Sequence, residues 1–330
     1  MVTKSEMRRC VVVLGTGGTI AGRAASAGDN IGYSAAQLEV GELLRDLDLP
    51  RDIALVSEQV AQLDSKDMTF AVWKALAARC AHWLGEQDVQ GLVITHGTDT
   101  LEETAFFLQS VLAPRKPVVL TCAMRPASAL APDGPQNVRD AMSVAATAGV
   151  RGVTVVCAGK VHSALDVQKV HTYRLDAFAS GDSGPLAYVE EGVVRQLREW
   201  PVPDNEMHAV FARVIDTDAA RWPRVEILTS HAGARGDLVD VLVAARRAGA
   251  ENAVQGLVLA ATGNGSLHGD LEVSALRAQA EGMAVVRATR CVEGRIIALP
   301  SAPLRDAGAL TPAKARIALM LELLAAEQRG

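Results

Sequence analysis

Two short threonine-rich segments contain the residues best able to do chemistry. The first, residues 14–22 (LGTGGTIAG), follows a run of apolar β-branched residues. Its glycines clear space for a turn that presents the hydroxyl of Thr19 at the carboxyl end of a predicted strand, where open α/β sheets bind ligands. The same glycines would equally serve a tight turn with no functional role.

Two nucleotide-binding motifs differ from this segment. The dinucleotide fingerprint needs glycine at its first, third and sixth positions, and the sixth position here is Ile20. A P-loop closes with Gly-Lys followed by Ser or Thr, and residues 14–22 contain no lysine. The sequence therefore disfavours a nucleotide cofactor at this turn.

The second segment, residues 94–103 (ITHGTDTLEE), also follows a predicted strand. Thr100 and Glu103 have the spacing of a capping box, so we expect Thr100 to cap the next helix without a functional role. Thr98 and Asp99 lie in the turn between strand and helix, where side chains face the ligand crevice. His96 lacks the partners of a recognisable catalytic triad, and we expect it to be buried and hydrogen-bonded.

Together the two segments resemble the signature motifs of the bacterial-type asparaginase and glutaminase family. Further segments follow in that family's order and approximate spacing: LDSKDM at 63–68, AMRP at 123–126, DGP at 133–135, DVQK at 166–169 and GNG at 263–265. The resemblance covers nearly the whole chain. It implies a threonine amidohydrolase that needs no metal and no organic cofactor.

The resemblance implies two catalytic groups. Thr19 would be the nucleophile, on a mobile loop that also contains its activating neighbour, Tyr33. Thr98, Asp99 and Lys169 would form the second group. A threonine hydroxyl is a poor nucleophile unless a neighbouring group accepts its proton, and a phenolate or a neutral lysine can do so.

The resemblance also implies a substrate-binding set. Ser65 would hold the substrate carboxylate and Asp99 its ammonium group. Backbone N–H groups near Thr98 and Ala123 would bind the oxyanion, an interaction that commonly stabilises a transition state by about 3 kcal/mol. Asn264 would reach the active site of a partner subunit, in a homo-oligomer built as a dimer or as a tetramer of intimate dimers.

Lys66 departs from the family, many members of which have a glutamine there that helps to bind the substrate ammonium. A cation at this position should weaken recognition of an ammonium group. We also find no acid after Arg290 that aligns with the glutamate expected from a neighbouring subunit. As an alternative, the Lys66 side chain would point away from the substrate and pair with Asp64 or Asp67. The reaction type is therefore better supported than the substrate.

The elements that must position these residues alternate between short Val-rich runs and longer helical patterns, as in βαβ units. Runs that are apolar on both strand faces belong in a parallel sheet covered by helices. In the first part of the chain we predict strands at 10–14, 53–56, 92–95, 117–122 and 152–157, and helices at 35–47, 68–84, 101–113 and 137–148. In the second part we predict strands at 225–229, 256–260 and 284–287, and helices at 238–248, 271–280 and 312–328.

The predicted fold class is α/β, with a mostly parallel doubly wound sheet in a larger N-terminal domain and a smaller C-terminal α/β domain. We place the N-terminal catalytic domain at 1–195 and the C-terminal domain at 224–330. The interdomain linker is predicted at 196–223, where the pattern loosens into a polar stretch with several prolines.

Composition limits the partners. A net charge of −5 and a pI of about 5.8 give no basic excess for a nucleic-acid backbone. No apolar run approaches the roughly 20 residues that span a bilayer, and the first residues lack the features of a signal peptide, so we expect no membrane association and a cytoplasmic protein. The five cysteines are scattered and form no CxxC, which favours free thiols over a disulfide framework or a metal site.

The sequence thus predicts an L-asparagine amidohydrolase that releases L-aspartate and ammonia through an acyl-enzyme intermediate. One alternative is the same chemistry on L-glutamine or on an amide without a free α-amino group. Another is a non-catalytic small-molecule binding protein on the same scaffold. That protein would be expected to lack Thr19, Thr98, Asp99 or Lys169, and all four are present.

Overall fold

The chain folds as two units, Met1–His208 and Ala209–Gly330. A computed structural model describes residues 9–45, 53–201 and 207–326. Each unit has its own sheet and its own buried apolar cluster.

An eight-stranded sheet organises the first unit. Its strand order is β12-β11-β8-β7-β6-β5-β1-β4, and the five strands from β7 to β4 are parallel. The strands of this unit are β1 Arg9–Gly17, β2 Arg23–Ala24, β3 Tyr33–Ser34, β4 Ile53–Leu63, β5 Val89–Thr95, β6 Pro117–Thr121, β7 Gly152–Cys157, β8 Lys160–Ser163, β9 Gln168–Lys169, β10 Phe178–Ala179, β11 Ala187–Glu190 and β12 Val193–Gln196. Its α-helices are α1 Val40–Arg45, α2 Phe70–Gly85, α3 Leu101–Leu112 and α4 Gly134–Ala146.

The second unit contains a four-stranded parallel sheet, in the order β13-β14-β15-β16. Its elements are β13 Val225–Thr229, α6 Asp237–Arg247, β14 Gly256–Ala261, α7 Gly269–Ala280, β15 Ala284–Thr289, β16 Arg305–Asp306 and α8 Pro312–Ala326. A further helix, α5 Met207–Asp216, begins at the end of the first unit and continues into the second.

Both sheets have wholly buried central strands. In the first unit, every residue of β6 and β7 is buried, and so are residues 91–95 of β5. Helices cover both faces of such strands, which is why their sequences are apolar without alternation. The predicted α/β fold class, with a larger and a smaller domain, is confirmed.

Two element predictions need correction. The helix predicted at 35–47 begins only at Val40, because Ala36 has a φ of +55° and its N–H donates to the carbonyl of Gly18. The strand predicted at 53–56 continues to Leu63. Residues 46–47 of the predicted helix lie outside the described residues.

The segment predicted as a linker, 196–223, contains α5 and a short 3-10 helix, Ala219–Arg221. Residues 202–206 of this segment are outside the described part of the chain, as are residues 327–328 of the predicted last helix. None of the helices that the structure describes is both long and apolar enough to cross a membrane.

Candidate active site

The turn after β1 places Thr19 beside Tyr33. Thr19 begins a single 3-10 turn, Thr19–Ala21, and is buried. Gly17 and Gly18 precede it with φ values of +97° and +83°, a region that favours glycine. Oγ1 of Thr19 lies 2.7 Å from Oη of Tyr33, and either hydroxyl can donate in this hydrogen bond.

A short hairpin holds Tyr33 in this position. β2 and β3 are antiparallel partners, with Ala24 opposite Tyr33. A Cβ atom at Gly22 would lie 2.9 Å from the Tyr33 ring, so glycine is needed for the ring to pack here. The hairpin is also anchored to a residue outside it, because the Ala24 N–H donates to Oγ of Ser128 at 2.8 Å.

A second hydroxyl, that of Thr98, lies in a cluster with a lysine and a carboxylate. Nζ of Lys169 donates to Oγ1 of Thr98 at 2.8 Å and to Oδ1 of Asp99 at 2.6 Å. Thr98 and Asp99 are themselves 3.5 Å apart through the same oxygens. The structure therefore brings these three sequence-predicted residues together across about 70 positions of sequence.

Glu102 also contributes to this cluster, which the sequence did not predict. Lys169 lies on β9, which pairs with β10 in a small hairpin, and its backbone N–H donates to Oε2 of Glu102 at 2.5 Å. Glu102 lies in the first turn of α3, where an acidic residue is unremarkable. Only the fold connects it with a hairpin that lies 67 residues away in the sequence.

Ser65 connects the turn after β4 with the turn after β5. It is buried, and its Oγ accepts the backbone N–H of Asp99 at 3.1 Å. Its carbonyl accepts the hydroxyl of Thr100 at 2.7 Å. Thr100 occupies the predicted N-cap position of α3 but makes no side-chain capping bond, so the Thr100 half of the predicted capping box is wrong. The Thr100 hydroxyl instead holds Ser65.

The turns that contain Thr19 and Thr98 are in contact at Gly18 and Gly97. A Cβ atom at Gly18 would overlap the backbone of Gly97, and one at Gly97 would overlap the side chain of Ser65. Thr16 adds a buried hydrogen bond from its Oγ1 to the carbonyl of Thr95, at 2.9 Å. The turns at Gly18 and Gly97 are thus in backbone contact, and the Ser65 side chain packs against Gly97.

His96 is buried and hydrogen-bonded, as predicted. Its Nδ1 must donate to the carbonyl of Gly97 at 2.7 Å, so in the neutral ring Nε2 accepts from Oγ1 of Thr104 at 2.9 Å. Oγ1 of Thr104 accepts in turn from Nε1 of Trp73. Burial lowers the pKa of His96 to about 4, which keeps the ring neutral at physiological pH.

Ala123 lies two residues beyond β6, at the same edge of the sheet. It is fully buried, and the chain after it is held by Asp133, whose carboxylate accepts the backbone N–H groups of Met124 and Arg125 at 2.9 and 3.0 Å. Asn137 fixes the preceding residue by donating to the carbonyl of Cys122. The backbone at Ala123 is therefore rigidly placed.

Lys66 pairs with its neighbours. Its Nζ lies 2.6 Å from Asp64 and 3.4 Å from Asp67, and its side chain is 62% exposed. The hydrogen bond that Lys66 donates to Asp64 is the main cause of a raised Lys66 pKa. This is the pairing that the sequence offered as the alternative for Lys66, and a contact with substrate stays a prediction.

Asn264 lies in the second unit, in the connection between β14 and α7. Its side chain makes two hydrogen bonds with the backbone of Ile297, accepting at 2.7 Å and donating at 3.2 Å. The amide group is thus held in one orientation. Its predicted role toward a partner subunit stays a prediction.

Comparisons with known proteins agree with these motifs. Residues 10–201 match the family model "Asparaginase, N-terminal", and residues 224–329 match "Glutaminase/Asparaginase C-terminal domain". The chain is 35% identical to L-asparaginase 2 of Bacillus subtilis over 94% of this chain and 81% of that protein. It is 34% identical to a glutaminase-asparaginase of Pseudomonas fluorescens over 97% of this chain and 88% of that protein.

A solved structure shows the same fold. The crystal structure of a probable cytoplasmic L-asparaginase from Campylobacter jejuni superposes with a TM-score of 0.84 and is 33% identical, covering 96% of this chain and 95% of that one. The family models together match most of the chain, and the resemblance predicted from the motifs is confirmed. The chain therefore belongs to the asparaginase family of amide hydrolases.

Proposed function

We propose that the chain hydrolyses the side-chain amide of L-asparagine to L-aspartate and ammonia, with Thr19 as its nucleophile. The observation that carries this proposal is the 2.7 Å hydrogen bond between Thr19 Oγ1 and Tyr33 Oη, which gives a buried hydroxyl an immediate proton acceptor. The names of the relatives, L-asparaginase 2 and glutaminase-asparaginase, support the substrate class.

The proposed first step forms an ester on Thr19. Oγ1 attacks the amide carbon while its proton passes to Oη of Tyr33. The C–N bond then breaks, the nitrogen takes this proton from Tyr33, and ammonia leaves. In the second step water attacks the ester carbon, its oxygen remains on the product carboxylate, and Thr19 regains its proton. Backbone N–H groups near Thr98 and Ala123 stabilise the oxyanion in both steps.

The second cluster serves proton transfer beside this ester. Lys169 donates to Thr98 and Asp99 together, which fixes the Thr98 hydroxyl. All groups that this mechanism requires are side chains and backbone amides, so we propose that no metal and no organic cofactor takes part.

Ser65 and Asp99 are the proposed holders of the substrate's α-carboxylate and α-ammonium groups. Asp99 is 53% exposed, and only its Oδ1 is used by Lys169, which leaves Oδ2 available to a substrate cation. Asp64 and Asp67 offset the charge of Lys66. With that charge offset, an ammonium group beside Lys66 meets less repulsion than a free lysine would impose.

L-Glutamine is the second candidate substrate, because some of the relatives are named glutaminase-asparaginase. An amide without a free α-amino group is a third, favoured by the presence of a lysine at position 66. We further propose that the protein is a homo-oligomer whose active sites include Asn264 of a partner. A cytoplasmic location is supported by the description of the Campylobacter protein.

The test is ammonia release from L-asparagine, L-glutamine, D-asparagine and succinamate by the wild type and by Thr19→Ala, Thr19→Ser and Thr98→Ala. We expect L-asparagine to be the best substrate, and each alanine variant to lose about a thousandfold or more in kcat. Thr19→Ser keeps the hydroxyl and should retain measurable turnover. Thr147→Ala is the matched control, because Thr147 directly follows α4 and its hydroxyl donates to the carbonyl of Ser143 in that helix.

Other outcomes would redirect the proposal. Turnover of succinamate alone would identify an amide without an α-amino group as the substrate, and a Lys66→Gln variant should then gain activity on L-asparagine. Full activity of Thr19→Ala would contradict the nucleophile. Added hydroxylamine should be converted to the hydroxamate if an ester intermediate forms, and its absence during turnover would contradict the acyl-enzyme.

A further inference from the structure

A cavity of about 350 Å³ lies in the first unit, behind the turn that contains Thr19. Its lining includes four large aliphatic side chains from three parts of the chain: Ile20, Leu38, Leu43 and Val138. Among the residues that the structure describes, its lining includes no member of the two hydroxyl clusters. Volume and apolar lining are both those of a small-molecule site.

Three arginines line the same cavity: Arg23 on β2, Arg45 at the end of α1, and Arg125 after β6. In the described ranges none of them forms an ion pair, although arginines elsewhere in the chain do so repeatedly. Among the described residues of the lining, Glu42 is the one carboxylate, and it accepts the backbone N–H of Glu39. The cavity therefore has an excess of positive charge.

Three cations that line one apolar space favour an anion there over a cation. Guanidinium groups present paired N–H donors whose spacing matches the two oxygens of a carboxylate or a phosphate. We propose that this cavity binds a small organic oxyanion, a carboxylate or phosphate carried on an apolar body. The oxyanion would contact the arginines, and the apolar body would lie against the four aliphatic side chains.

The cavity borders the candidate active site through two residues. Ile20 directly follows Thr19, and a Cβ atom at Gly134 would lie 2.9 Å from the Ile20 side chain, so Ile20 is tightly packed. Arg23 lies on the strand whose antiparallel partner contains Tyr33. An anion bound by Arg23 would therefore stabilise the base of the hairpin that positions Tyr33. This coupling rests on the proposed function, whereas binding itself does not.

Calorimetric titration of the full chain tests binding without any amide substrate. The probes are benzoate and phenyl phosphate, which have an apolar body, and acetate and inorganic phosphate, which lack one. We expect one site per chain, with the aromatic member of each pair binding more tightly. Comparison of the two aromatic probes shows whether the site prefers carboxylate or phosphate. No binding by any of the four would overturn the proposal.

Charge variants locate the site. Arg45→Gln and Arg125→Gln should each weaken the preferred probe about tenfold or more, as expected for loss of one charge-assisted hydrogen bond. Arg139→Gln removes the same charge from the exposed surface of α4 outside the cavity, and should leave binding unchanged. Equal weakening in all three variants would mean non-specific attraction and would overturn the proposal.

Ser65→Ala separates this site from the substrate site. Probe binding should survive that substitution while amide hydrolysis falls, and binding lost in Ser65→Ala but kept in Arg125→Gln would place the probe at the substrate site instead. Bound probe should also slow amide hydrogen exchange at residues 19–24 of the wild type. Unchanged exchange there, with binding intact, would overturn the coupling to the Tyr33 hairpin.

Discussion

His96 shows why a histidine beside candidate catalytic residues need not be catalytic. Its two ring nitrogens are both used, one by the carbonyl of Gly97 and the other by Thr104. The ring holds the turn before Thr98 by hydrogen bonds that only the neutral form can make in this pattern. Its contribution is therefore structural, and it should be visible in the pH dependence of stability.

For His96→Gln we predict a weaker dependence of the unfolding free energy on pH. The folded-state pKa of about 4 lies below the unfolded value of about 6.5, so the unfolded state binds more protons between these values. Stability of the wild type should fall as pH drops through that window, by about 3 kcal/mol from this group alone. Glutamine has no such proton to bind.

Urea unfolding at several pH values from about 4.5 to 7.5, a range that covers most of the window between these two pKa values, measures the pH dependence of the unfolding free energy. His231→Gln is the control, because His231 is exposed in the folded protein and should affect the slope little. The interpretation fails if His96→Gln and His231→Gln show the same pH dependence as the wild type.

At the scale of elements, the sequence predicted best where burial is complete. β6 and β7 are buried throughout, and their apolar runs were sufficient to locate them. The predicted strand ended before the end of β4, because the second half of β4 contains polar residues that are typical of a loop: Ser57, Glu58, Gln59 and Gln62. Glu58 is nevertheless held by Arg79 at 2.6 Å, a tertiary contact that no local pattern contains.

The candidate site was predictable for a similar reason. Thr19 and Thr98 each follow a strand, so their position in the turn indicated a candidate site, whereas their catalytic roles were implied by the resemblance to the family. Lys169 alone would have been read as a surface lysine, since its partners lie about 70 residues earlier. Thr100 was misassigned because capping geometry and a bond to the carbonyl of Ser65 are indistinguishable in sequence.

The contact between the two turns gives a prediction at this scale. Gly18→Ala should lower the unfolding free energy by about 3 kcal/mol and abolish activity. The new methyl group would overlap the backbone of Gly97, and alanine would have to adopt the positive φ of Gly18. Thermal and urea unfolding measure the stability change.

Gly41→Ala is the matched control for that experiment. Gly41 lies in α1, and the nearest atom that a Cβ would meet is Oγ of Ser57 at 3.8 Å. Alanine should stabilise this helix by about 0.5–1 kcal/mol and leave turnover unchanged. Equal effects of the two substitutions would show that the contact between the turns is not the sensitive feature.

At the scale of the whole molecule, the two units contribute different parts of the proposed enzyme. The first contains both hydroxyl clusters, and the second contains Asn264 with its amide held by Ile297. If Asn264 completes the active site of a partner, each site of a dimer requires two chains. Subunit mixing can test this directly.

We predict that Thr19→Ala and Asn264→Ala chains, each nearly inactive alone, regain activity when they assemble together. A mixed dimer has one site with both substitutions and one site with neither. Random assembly makes half of the dimers mixed, so about a quarter of the wild-type activity should return. Ammonia release after co-expression, with size-exclusion chromatography to verify assembly, is the measurement. A mixture no more active than its parents would place Asn264 and Thr19 of the same chain in one site, or exclude Asn264 from the site.

The hydrogen bonds from Trp73 through Thr104 to His96 also have a spectroscopic consequence. Trp73 is buried and stacked on Phe107 with ring centroids 4.8 Å apart, while its indole N–H reports on the Thr104 hydroxyl and thereby on the turn before Thr98. Of the four tryptophans in the chain, it is the one whose polar atom is linked to the candidate site within the described residues. Its fluorescence and near-ultraviolet circular dichroism thus give the protein a built-in optical label for the turn that contains Thr98, readable without any added dye.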